Sequence, residues 1–160
     1  MNIFYLDSDP ATCAQYHCDK HVIKMILESA QLLSTAHHEL ESPLAKHLYK
    51  KTHANHPSAL WARESAAHYE WLYQLLTQLS LEYTNRYLKT HRTYDTLGAY
   101  LSVVPPKIQH ITSWTDPPQC MPDAYKDNDT VTAYRRYYMQ DKPFAVWEHT
   151  ATPKWYAPCS

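Results

Sequence analysis

The sequence predicts an all-α (mostly) protein: one compact domain over residues 1–160, with two long helices, shorter C-terminal helices and Pro-rich loops. Three observations lead there. Glycine occurs once, at Gly98, which removes the φ > 0 positions that β-hairpins and Gly-rich phosphate loops need. Two long stretches run without Gly or Pro and carry apolar residues at helical spacing. The 11 prolines punctuate those stretches or crowd the C-terminal third. Loops are therefore expected to turn on Pro, Asn and Asp, and 160 residues suffice for one core and little more.

The elements follow in order. Asn2 to Leu6 (NIFYL) is a short apolar run that could form an N-terminal strand. Asp9 before Pro10 reads as an N-cap with proline at the first helical position, opening one long helix to about His38. Pro43 interrupts, and a short basic stretch (AKHLYKK) follows. Asn55-His56-Pro57-Ser58 opens a second long helix to about His91. Around Gly98 and Pro105-Pro106 the pattern dissolves into short pieces, and WTDPPQCMPDAY reads as loop. Asp129 caps a helix from Thr130 to Gln140, and the chain closes on TPKWYAPCS.

Charge and composition narrow the partners. Fifteen Lys and Arg against 16 Asp and Glu give a net charge of -1, so any nucleic-acid contact must come from a local patch. No apolar run reaches membrane length and the start lacks a leader pattern, so we expect a soluble protein of the cell interior, cytoplasmic, with no membrane partner. The four cysteines, Cys13, Cys18, Cys120 and Cys159, form no CxxC pair and are expected to be free thiols. Tyr 14 and Trp 5 against Phe 2 mean that most rings carry a polar handle, suited to wet surfaces and base stacking as well as to cores.

On a helical wheel the first helix groups Cys18, Val22, Met25, Ile26, Ser29, Leu33 and Ala36 as its core side. His17, His21, Lys24, Glu28 and Gln31 collect opposite, and that arc is expected to be a solvated face supported by the Lys24–Glu28 pair. His17 and His21, spaced i, i+4, with Glu28, form an alternative divalent-metal site. Asp19 falls at the edge of the apolar arc, where a carboxylate must be paired or employed. Lys20 beside it is its expected partner or an amine nucleophile. In the second helix Glu64, His68 and Arg86 intrude on the apolar arc, either as a buried polar network or as the floor of a pocket facing Asp19. Asn55, His56 and Arg63 place donors at a helix N-terminus, a ready anion site. Arg135 and Arg136 alternate with Tyr134, Tyr137 and Tyr138, and Trp155 follows Lys154, a pattern that suits splayed bases or an inward-packed Tyr-rich helix.

The start MNIFYLDSDP, the helix carrying Asp19-Lys20, the NHPSALWAR turn and the closing TPKWY resemble the small phage pyrimidine-dimer DNA glycosylases of the endonuclease V type, over roughly residues 1 to 92 and the last few. HCDKHVIKMILESAQLLSTAHH, HANHPSALWARES and PPQCMPDAY resemble more specifically a group of uncharacterised phage proteins. The glycosylase resemblance implies an all-α domain whose N-terminal amine attacks C1′ of a flipped or kinked nucleotide, with a Glu of the first helix assisting. An α-amine titrating near 8 is partly neutral at pH 7 and can form the imine that leads to strand cleavage. Asp19 and Lys20 occupy the region that matches the family's glutamate, with Glu28 two turns later, and Asn2 behind Met1 suggests that Met1 is retained.

These readings combine into a DNA- or nucleotide-directed enzyme of DNA repair, glycosylase/AP-lyase-like. Asp19 is the expected carboxylate, Met1 or Lys20 the amine, and Glu64 and His68 the pocket floor. Asn55, His56, Arg63, Arg86, Arg135, Arg136 and Trp155 are expected to hold DNA. No cofactor is required. The rivals are a divalent-metal nucleotide or phosphodiester hydrolase built on His17 and His21, and a non-catalytic binder of a host protein or nucleotide signal.

Overall fold

A computed structural model describes residues 1–157. Among the described residues there are six α-helices: α1 Pro10–Tyr16, α2 Asp19–Glu39, α3 Pro57–Glu64, α4 Ala66–Tyr87, α5 Arg92–Leu101 and α6 Thr130–Asp141. Helix α2 packs along α4, with α1, α3 and α5 around them, and one apolar core runs through the set. Among the described residues no helix is long and apolar enough to cross a membrane. Cys13, Cys18 and Cys120 are free thiols, and Cys159 lies outside the described residues.

Both expected long helices are broken, each where side chains or another segment take over backbone hydrogen bonds. At His17-Cys18 the chain leaves helical geometry; Asp19 N–H then donates to Val146 O at 2.9 Å. The freed carbonyls of Gln15 and His17 accept from the Arg86 guanidinium at 3.0 and 2.8 Å. At Ser65, φ is -149° and the side chain caps α4 by accepting from His68 N–H, while Ala66 and Ala67 N–H donate to His110 and Ile111 carbonyls. Orphan groups at a helix end need partners, and here segment 110–113 supplies them from across the fold.

Residues 2–6 make no strand. Ile3 to Leu6 are buried against the helices, with Leu6 N–H turning back to the Phe4 carbonyl at 3.0 Å, so side-chain packing rather than a ladder holds them. The caps at Asp9 and Asp129 form as expected, accepting from Thr12 and Thr132 N–H. Gly98 does not break the chain but lies inside α5, where a Cβ would stand 3.0 Å from the Tyr94 ring. Left-handed turns fall instead on Glu41, His53 and Leu88, so the expectation that Pro, Asn and Asp would make the turns does not hold there.

Candidate active site

The buried run Ile3 to Leu6 carries the amino end onto the outer arc of α2. Phe4 stacks on His21 with ring centroids 4.4 Å apart, and Asn2 Nδ2 donates to the Cys120 carbonyl at 2.9 Å. The Met1 amine thereby stands 3.5 Å from Glu28 Oε1, the two side chains being 7% and 13% exposed. Lys24 Nζ reaches Glu28 Oε2 at 3.7 Å from the solvent side.

Amine and carboxylate line one cavity of about 310 Å3 together with Phe4, Lys20, His21 and Lys24. Its far wall is the end of α6 and the turn after it, Tyr137, Lys142 and Phe144. A larger hollow of about 410 Å3 lies between Tyr5, Trp71 and Trp114, but it holds no amine. The arc expected to be solvated is therefore covered: His17 and His21 are buried, and only Lys24 keeps open exposure.

Burial decides the state of the two histidines. Desolvation holds His21 down to about 3, helped by the charges of His17, Lys142 and the neighbouring lysines, and desolvation holds His17 at about 4. His21 Nδ1 is 2.6 Å from Tyr138 Oη, and His17 Nδ1 is 2.8 Å from the Cys13 carbonyl. Both rings thus have a fold partner, and no group of three His, Cys, Asp or Glu among the described residues could hold a metal. The alternative His17–His21–Glu28 metal set is not assembled.

The remaining candidate residues divide between the cavity and the frame. Lys20 lines the cavity, its Nζ 4.7 Å above the Phe144 ring, and does not pair with Asp19. Asp19 is buried in the frame: Oδ1 accepts from Arg86 at 3.1 Å and Oδ2 from Glu148 N–H at 2.9 Å. Arg86 is spent on Asp19, Glu82 and two carbonyls. His68 stacks on Trp61, is 2.8 Å from its carbonyl through Nδ1 and accepts from Thr115 N–H through Nε2, which ties α4 to α3 and to the 110–115 segment. Glu64 sits on the other side of the Ser65 break, exposed beside Leu60 and Thr115. Asp19, Glu64, His68 and Arg63 do not converge on one cavity.

His56 caps α3 through Nδ1, with Asn55 exposed before it. Burial lowers the His56 pKa, and the nearby amino-terminal charge lowers it further. Arg63 lies in the last turn of α3, at the wrong end for an anion site, with Nη1 buried and unpartnered. Arg135 donates to Leu6 O and Asp7 and lies over the rings of Tyr16 and Trp155; Arg136 is tied to Asp127. Tyr134 and Tyr138 point into the core, so the Tyr-rich stretch packs inward.

Reading the sequence missed Glu28 as the amine's neighbour and Tyr137, Lys142 and Phe144 as cavity wall. The usable signal was the NIFYL run: five mostly apolar residues with no partner strand need a surface to cover, and the arc of α2 opposite its core side was free.

A family model described as pyrimidine dimer DNA glycosylase matches residues 1–96. No curated protein and no solved structure matches the chain.

Proposed function

Because the chain belongs to the pyrimidine dimer DNA glycosylase family, and is therefore an enzyme of the DNA glycosylase type, we propose that it excises dimers with the amine of residue 1 as nucleophile and Glu28 as its carboxylate, and then cleaves the strand. The observation that carries this is the 3.5 Å approach of the Met1 amine to Glu28 Oε1 inside a cavity.

In this reading the amine's lone pair forms a bond to C1′ as the C1′–N bond to the pyrimidine breaks. The bonding pair leaves with the base, which takes up a proton. Loss of a proton from nitrogen and opening of the sugar ring give an imine. Removal of a C2′ proton then expels the 3′ phosphate with the C3′–O electron pair. Glu28 is placed to accept protons, and its charge favours the cation developing at C1′. Lys20, Lys24 and Lys142 are the phosphate contacts, with Asn55 and His56 at the start of α3 as further donors. Arg86, Arg135, Arg136 and Trp155 serve the frame, and Arg63 stands apart from the cavity. No metal or cofactor enters the scheme.

Borohydride reduction on a duplex carrying a dimer or an abasic site tests the proposal. Wild type should give a covalent adduct that mass spectrometry maps to the peptide containing residue 1. An adduct on Lys20, or none where a known lyase is trapped, overturns it.

A further inference from the structure

Two lysines at the cavity mouth rest on aromatic faces. Lys20 Nζ lies 4.7 Å above the centroid of Phe144, which is 39% exposed and meets His21 edge-on at 5.5 Å. Lys142 Nζ lies 4.3 Å above Tyr137, donates to its Oη at 3.2 Å and has Asp141 Oδ2 at 3.7 Å. Tyr137 is in turn near-parallel to Phe4, with an interplanar angle of 22°. Tyr137, Lys142 and Phe144 lie outside residues 1–96, the part of the chain that the family model covers.

We propose that Phe144, seconded by Tyr137, is the face on which a base of the damaged site stacks, and that Lys20 and Lys142 leave these rings for the flanking phosphates when DNA binds. The proposal rests on reading this cavity as the active site. For the exposed Lys20, stacking a base on Phe144 is worth more than the ammonium on the same face, and the departing ammonium gains a phosphate in exchange; Lys142, 16% exposed, gives up Tyr137 Oη and Asp141 for its phosphate. Both steps therefore run toward the complex. In the free protein the lysines shield rings that would otherwise stand bare at the cavity mouth. The ligand class is a nucleobase attached to its backbone, so a sugar that has lost its base should make no use of Phe144.

The test compares Kd for a duplex carrying a pyrimidine dimer with Kd for the same duplex carrying an abasic site, both in a Glu28→Gln background. Phe144→Ala should weaken dimer binding by about tenfold, the loss of one stacked base, and abasic binding by less than about twofold. Phe144→Trp should restore dimer affinity, since any flat ring serves. Equal weakening on both duplexes, no weakening on the dimer, or failure of Trp to rescue overturns the inference. Failure of the catalytic reading shows elsewhere, as wild type that cleaves neither duplex, and leaves the Kd comparison readable.

Discussion

Arg86 grips Asp19 from inside the fold, Nη1 standing 3.1 Å from Oδ1 with the two side chains 1% and 10% exposed. The same guanidinium closes the C-terminal end of α1 through the Gln15 and His17 carbonyls. Removing one partner of a buried pair strands the other, which costs about 3–5 kcal/mol. Arg86→Ala should therefore lose about that much in chemical denaturation. Asp19→Asn should also be destabilised, yet its folded fraction should keep turnover within a few-fold of wild type. Loss of turnover in fully folded Asp19→Asn would return Asp19 to the chemistry.

Glu28→Gln should differ from Asp19→Asn in losing turnover in its folded fraction. A positioned proton acceptor contributes about 10²–10⁴-fold in rate, so strand cleavage of dimer duplex should fall by that factor. Thermal stability should fall as well, because the nearly buried amine is left without its carboxylate, so the rate is compared on the folded fraction. Single-turnover cleavage with a melting curve on the same preparation checks both halves.

The contrast between these two carboxylates shows how far the sequence could be read. Asp19 was conspicuous because the helical wheel sets it at an apolar edge, and the structure does bury it, but against Arg86 from a helix 67 positions away. Glu28 was inconspicuous because it sits among His21 and Lys24 on an arc that looks solvated in one dimension. What covers that arc is Phe4 and the end of α6, and contacts over such separations leave no periodicity to find. The caps at Asp9 and Asp129 were legible because each bond spans three residues. The breaks at Cys18 and Ser65 were not, since their causes are Arg86 and segment 110–113. Gly98 misled in the same manner: its place in α5 answers to the Tyr94 ring rather than to backbone freedom.

Acid should loosen this fold through His17 and His21. Their folded pKa values, about 4 and about 3, lie below the ordinary value near 6.5, so the unfolded chain binds more protons between those limits. Stability is then fully present above about pH 6.5 and falls as pH drops toward 4, by about 1.4 kcal/mol per pH unit for each ring. Denaturant titrations from pH 7.5 to 4.5 should show that slope, and His21→Gln should reduce it by roughly one ring's share. A flat profile would mean that the two rings are open to solvent.

The lysines around the cavity should govern salt dependence. With a net charge of -1, the molecule offers DNA no general attraction, and Lys20, Lys24 and Lys142 are the cations gathered at the amine. Each phosphate contact removed should lower the slope of log K against log salt by about 0.9. Lys24→Ala and Lys20→Ala should each show this on dimer and abasic duplexes alike. Lys89→Ala, placed at the C-terminal end of α4, should leave the slope unchanged.

Leu88 offers the clearest gain in stability. It ends α4 at φ 57°, ψ 35°, and the residue is 87% exposed. A non-glycine residue in that region carries about 1–2 kcal/mol of steric cost, while glycine costs about 0.5–1 kcal/mol more chain entropy on folding. Almost no burial is lost with the side chain, so the steric relief exceeds the entropy cost. Leu88→Gly should raise stability by about 0.5–1 kcal/mol, and Leu88→Ala, which keeps the Cβ clash, should not. Urea midpoints of the three proteins decide it, and equal midpoints for Gly and Ala would remove backbone strain as the cause.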